Sequence, residues 1–156
     1  MILSLPSLNA TIALARRLAP LIKAGDVIAL HGGLGAGKTT LSRALICALL
    51  GEQTDVPSPT YTLVQTYEGP DFPVFHFDLY RLDAADDVFE LGWDETEDGL
   101  ALIEWPDKAG ANLPKWRLNL TLEVDPATET RTATLEARGE DWQTRLHELS
   151  SHAPAT

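Results

Sequence analysis

Residues 31–40 read HGGLGAGKTT, and Gly32 to Thr39 satisfy G-x-x-x-x-G-K-[ST] without a gap. Gly32, Gly33, Gly35 and Gly37 free the backbone to curl, so that successive N–H groups turn toward phosphate oxygens and the following helix adds its positive end. Contacts to a nucleotide are therefore expected from Gly33, Leu34, Gly35, Ala36, Gly37, Lys38, Thr39 and Thr40. Lys38 can reach the β- and γ-phosphates as a mobile cation, and the Thr39 hydroxyl can ligate Mg²⁺.

Such a loop needs an acid at the end of a buried strand, to hold Mg²⁺ or its waters. Two segments supply one. LALIE ends in Glu104 after four apolar residues, and PVFHFD ends in Asp78 after a less uniform run. The pattern favours Glu104 as the magnesium-side acid, leaving Asp78 to position a water or act behind a ligand. His76, two residues before Asp78, reads as a hydrogen-bonded histidine. Pro57-Ser58-Pro59-Thr60 is a stiff stretch where a hydroxyl, that of Thr60, could sense a γ-phosphate, or an ordinary connector. Arg81 could face phosphate or pair with a neighbouring acid. Missing features also discriminate. The middle of the chain has almost no Lys or Arg to build a kinase lid, no N-K-x-D segment supports guanine, and no catalytic Gln or arginine finger is evident. Slow hydrolysis gated by something else is expected. A small-molecule kinase and a non-hydrolysing nucleotide switch that scaffolds assembly remain as alternatives.

The elements that must position these residues are readable in outline. VIALH (27–31) is a nearly continuous apolar run, as in a central parallel strand covered on both faces. Lys38 to Leu50 has helical periodicity through Leu41, Ala44, Leu45, Ala48 and Leu49, with Gly51 as its stop. Upstream, Ile12, Ala15, Leu18 and Ile22 predict a helix from Leu8 that Pro20 ends or kinks. Runs 61–67 and 73–80 around Glu68-Gly69-Pro70-Asp71 predict an antiparallel hairpin. Asp83 can cap a short acidic helix to about Leu91, with Ala84, Val88 and Leu91 inward, and GLALIEWP (99–106) is a further buried strand. Trp116, Leu118, Leu120, Leu122 and Val124 alternate with polar residues, predicting a half-buried strand that returns through 132–138 with Ala133, Leu135 and Ala137 inward. A last helix from about Asp141 carries Trp142, Leu146 and Leu149. The expected fold class is α/β: a P-loop NTPase-like mixed β-sheet flanked by helices, with an antiparallel hairpin extension, in a single domain over residues 1–156 whose last few residues are disordered.

Composition narrows the setting. The 156 residues include 44% hydrophobic and 22% charged ones, the profile of a globular chain. No apolar run approaches the roughly 20 residues needed to span a bilayer, and the start lacks a charged leader, so a cytoplasmic protein without a membrane role is expected. The lone cysteine, Cys47, excludes an internal disulfide and reads as a small buried hydrophobe. Net charge is −11, and from Leu82 to Asp107 acids crowd a stretch free of Lys and Arg. A chain of this balance does not hold DNA or RNA on its own by counterion release. The acidic run is a solvated face or a docking surface for a basic partner.

The ordered series GGLGAGKTT, SPTYTLV, HFDLYR and EWP resembles the TsaE family of small bacterial P-loop ATPases required for threonylcarbamoyladenosine modification of tRNA. The resemblance covers roughly residues 25–107. It implies ATP and Mg²⁺ as cofactors, and a role as an accessory ATPase that joins TsaB and TsaD, with tRNA engaged only through those partners. It also implies P-loop roles for Lys38 and Thr39, a switch-like place for Thr60, an essential acid at Asp78, a magnesium-side ligand at Glu104 and a site position for Trp105. From the residues alone Trp105 reads as a core aromatic. The family commonly has G-D-L-G-A-G-K-T, and here Gly33 stands where that Asp would be.

Overall fold

The computed structural model describes residues 1–151; the expectation of a disordered C-terminus falls on residues 152–156, outside the described residues. Strands β2 (Val27–His31), β4 (Val74–Asp78) and β5 (Leu100–Glu104) are short, largely apolar runs, and their side chains are buried on both faces, with only His31 partly open. With β1 (Ile2–Leu5), β3 (Val64–Tyr67), β6 (Arg117–Val124) and β7 (Arg131–Arg138) they form a seven-stranded sheet in the order β1-β7-β6-β2-β5-β4-β3. The centre is parallel: β2 lies between β5 and β6, and β4 lies beside β5. Both margins are antiparallel, β3 against β4 on one side and the β6–β7 hairpin with β1 on the other.

One sheet face carries Ile28, Leu30, Leu102, Leu118, Leu120 and Leu135 beneath helices α1 (Leu8–Leu18), α2 (Lys38–Leu50) and α3 (Glu140–Ser151). The opposite face carries Phe75, Phe77, Ala101 and Ile103 beneath 3₁₀ turns (Ala85–Leu91, Trp93–Asp98, Pro106–Asn112) that contribute Val88, Trp93 and Ala109. Phe77 meets Trp93 edge to face at 5.0 Å. The acids of this segment point outward while Val88 and Trp93 are buried, so the charge run folds as a solvated cover for the second core.

Several local expectations are corrected. The strand β1 had no sequence signal strong enough to place it. The first helix ends at Leu18 and continues as a 3₁₀ turn through Pro20, because proline cannot donate the next helical hydrogen bond. The acidic helix at 83–91 is 3₁₀, exposes Ala84, and is capped by Asp87 Oδ2, which accepts from Ala84 N. Strand runs 61–67 and 73–80 shorten to β3 and β4. At the ends of β6, Trp116 and Val124 are exposed, leaving Leu118, Leu120 and Leu122 as the buried stripe. Cys47 is half-buried with Sγ 3.6 Å from Thr54 O, and burial pushes its thiol above the usual value, away from the reactive thiolate.

The register brings the site together. Leu30 pairs with Glu104, and Asp78 pairs with the same Glu104, so the loops after β2, β4 and β5 leave one edge of the sheet side by side. In open parallel sheets ligands bind beyond that carboxyl edge.

Candidate functional site

The glycine loop connects β2 to α2 at this edge. Gly32 has φ +147, and a Cβ there would lie 2.7 Å from Leu122 O, so only glycine lets the loop leave the strand past β6. Gly37, at φ +102, starts α2, and an added Cβ there would meet Arg131 Nε at 3.1 Å. Gly33 differs: an added Cβ meets nothing within 4 Å. The backbone N–H groups of the first turn, Lys38 to Thr40, have no partner inside the helix, as at any helix start.

Thr39 Oγ1 donates to Glu104 Oε1 at 2.9 Å, joining the start of α2 to the end of β5. Glu104 is 2% exposed, and its Oε2 lies 2.6 Å from His76 Nε2. Asp78, also buried, accepts from Thr60 Oγ1 at 3.2 Å and from Tyr80 N at 3.1 Å. Ser58 and Thr60 pair through their hydroxyls at 2.8 Å. Leu63, at φ 66, closes this connector: its N donates to Pro59 O and its O accepts from Asp78 N.

Lys38 is buried to 5% exposure and donates to Gly32 O at 2.6 Å and Gly33 O at 2.9 Å. Burial lowers its pKa below the ordinary lysine value, against the opposing pull of Glu104 and Asp78. Its ammonium sits 4.0 Å above the ring of Trp105. Trp105 has φ 57, a left-handed backbone that costs a bulky residue roughly 1–2 kcal/mol. At that turn, followed by Pro106, the ring lies at the edge of the second core and against Tyr80, with ring centroids 4.9 Å apart. Trp105 thus lines the cleft while it also packs against the edge of the second core.

Leu34, Gly35, Ala36, Gly37, Lys38, Thr39, Thr40, Thr60, Asp78, Glu104 and Trp105 line one cleft of about 380 Å³, joined by Tyr80, Arg81 and Arg131. Gly33 joins it only through its carbonyl to Lys38. Arg81 stacks over Tyr61 at 4.6 Å, and among the described residues it has no ion pair with the neighbouring acids. Arg131 had no local signal: it starts β7, and its Nε reaches 2.9 Å to Ala36 O. A larger hollow of about 710 Å³ opens at the far end of β2, lined in part by Trp116, Arg138 and Trp142. Leu34 to Gly37 of the glycine loop, Lys38 and the two acids all belong to the smaller cleft.

The oxygen set fits a hard cation. A hydroxyl and carboxylates suit Mg²⁺, which keeps several waters and takes further oxygens from phosphates. Among the described residues no group of three or more His, Cys, Asp and Glu forms an all-protein metal cage.

Fold and cleft together define an α/β protein of the P-loop NTPase-like class. A family model described as threonylcarbamoyl adenosine biosynthesis protein TsaE matches residues 5–133, and the chain belongs to that family. The TsaE protein of Bacillus subtilis is 35% identical over 144 residues, 91% of this chain and 89% of its own length. That of Streptomyces coelicolor is 39% identical over 140 residues, 84% of this chain and 93% of its own. The match to the Rickettsia felis protein, at 42% identity over 112 residues, covers 71% of this chain and 66% of that relative's length. A crystal structure of Bacillus subtilis YdiB superposes with a TM-score of 0.79 at 29% identity, covering 99% of this chain and 96% of the other. No helix among the described residues is long and apolar enough to cross a membrane.

Proposed function

We propose that this chain binds ATP with Mg²⁺, hydrolyses it to ADP and phosphate, and serves in the cytoplasm as an accessory subunit of threonylcarbamoyladenosine modification of tRNA, acting with TsaB and TsaD homologues. The observation that carries the nucleotide part is the Thr39–Glu104 pair at 2.9 Å beside Lys38: a phosphate-loop hydroxyl bonded to a strand-end carboxylate. The partner part rests on family membership and on a net charge of −11, which leaves tRNA to other subunits.

Bound Mg²⁺ would supply neutralisation of the phosphate charge. The chain supplies the rest. Loop and first-turn N–H groups cradle the phosphates, and Lys38 exchanges the carbonyls of Gly32 and Gly33 for phosphate oxygens. Thr39 and Glu104 would hold the cation and its waters. Asp78 has one oxygen fixed by Thr60 and the other by Tyr80 N–H, so its remaining lone pairs are aimed to orient the attacking water. The new bond joins that water's oxygen to the γ-phosphorus, the bond to the ADP oxygen breaks, and the proton passes to solvent or phosphate.

The test is reconstitution with TsaB and TsaD at limiting accessory subunit. Lys38→Ala is expected to abolish stimulation of threonylcarbamoyladenosine formation, and wild-type yield from that variant would refute the proposal. ATPase rate should be slow alone and rise with TsaB–TsaD. One observation favours a switch instead: Lys38 is engaged by its own loop and Trp105. Nucleotide-dependent assembly with no phosphate released over many hours would select it.

A further inference from the structure

Val74, His76 and Asp78 of β4 share a sheet face with Leu100, Leu102 and Glu104 of β5, paired in that order. Below the acids this face is apolar, yet position 76 places an imidazole there with 0% exposure. Burying a polar ring costs free energy unless its hydrogen bonds are made. His76 Nε2 makes one, reaching diagonally up the ladder to Glu104 Oε2 at 2.6 Å. Its Nδ1 is buried and has no partner. A proton on Nδ1 would be an unsatisfied buried donor, whereas a bare Nδ1 leaves only a lone pair unused. The ring therefore carries its proton on Nε2 and donates it to Glu104.

The consequence lies in the carboxylate. The terminal torsion of a glutamate is broad, so one hydrogen bond from Thr39 to Oε1 does not fix the plane of the carboxylate. A second bond on Oε2 does. We infer that His76 is a positioning residue that pins Oε2 of Glu104 so that Oε1 is presented to Thr39 and the cation. This inference rests on the Mg²⁺–ATP reading of the site.

The test separates magnesium from nucleotide. Binding of a fluorescent ATP analogue is titrated with Mg²⁺ and, separately, measured in EDTA. Partners behind metal ligands are typically worth 10–100-fold in metal affinity, so His76→Phe should raise the Mg²⁺ concentration for half-maximal binding about tenfold or more while leaving EDTA affinity within about twofold. His76→Gln keeps a donor near the Nε2 position and should stay within about threefold of wild type. In a Glu104→Gln background the His76→Phe effect should vanish, because the two residues act as a unit. Wild-type Mg²⁺ dependence in His76→Phe, or equal loss with and without Mg²⁺, would overturn the inference. Should Phe at this position prevent folding, ¹⁵N NMR of wild-type His76 carries the test: a protonated Nε2 supports it and a bare Nε2 overturns it. Failure of the wild type to bind Mg²⁺–nucleotide would sink the ATPase reading itself, a separate result.

Discussion

Replacing Asp26 by Asn would remove one charge from the joint that holds α3 to the base of β2. Arg145, 5% exposed, donates through Nη1 and Nη2 to the two oxygens of Asp26, whose side chain is 10% exposed. The same guanidinium also donates to Leu21 O at 2.9 Å and to Asp141 Oδ2 at 2.6 Å, and lies 3.8 Å over Trp142. Burial alone would lower the pKa of Arg145, but the hydrogen bonds and charge of Asp26, then those of Asp141, hold it above its ordinary value. Breaking a buried pair by removing one partner costs about 3–5 kcal/mol because the other charge stays buried. Here Asp141 remains as partial compensation, so the low end, about 3 kcal/mol, is expected for Asp26→Asn. At about 2–4 °C per kcal/mol for a chain of this size, the melting temperature should fall by roughly 6–12 °C. Asp141 bonds the same arginine, but its side chain is 64% exposed, so Asp141→Asn should cost at most about 1 kcal/mol. Urea unfolding followed by tryptophan fluorescence, with thermal melts, measures both variants. Equal losses, or a loss under about 1 kcal/mol for Asp26→Asn, would refute the claim that burial decides the strength of this joint. Below its melt the Asp26 variant should bind ATP like wild type, since the joint lies at the opposite end of β2.

Glu104→Ala should weaken Mg²⁺-dependent nucleotide binding or turnover, whereas the exposed Glu97→Ala should not; equal activity of the Glu104 variant and wild type would remove Glu104 from the site. Gly33→Asp should fold normally, because the added side chain starts in open space, while Gly32→Ala should destabilise the loop or shift it away from Leu122 O; melting curves and ATP titrations distinguish them. Arg131→Ala releases Ala36 O, and losing a hydrogen bond of about 1 kcal/mol should reduce ATP affinity about fivefold by calorimetry. Unchanged affinity would show that β7 does not shape the loop.

The cleft was legible in the sequence where its signals are local. Phosphate-loop geometry is written in glycine spacing and a lysine–threonine pair, and Asp78 and Glu104 stand out because each ends an apolar strand run. The β6–β7 hairpin follows from alternation, and the stripe of α3 from Trp142, Leu146 and Leu149, all buried. The residues alone showed only the core-packing half of Trp105, because a left-handed backbone at a tryptophan, which also brings it to the cleft, leaves no compositional trace. Arg131 was missed because its partner carbonyl lies 95 residues away in the chain.

Sequence by itself therefore determined the central strands β2, β4 and β5, the β6–β7 hairpin and the helices α1, α2 and α3, with the residue types at their ends, since burial periodicity and backbone freedom act over a few neighbouring residues; β1 and the 3₁₀ geometry of the turns over the second core carried no such local signal. Tertiary structure alone decided that β6 lies against β2, that Arg145 closes on Asp26, and that His76 reaches Glu104. Those outcomes depend on register and sheet order, which are fixed by contacts between segments far apart in the chain and packed in a single arrangement.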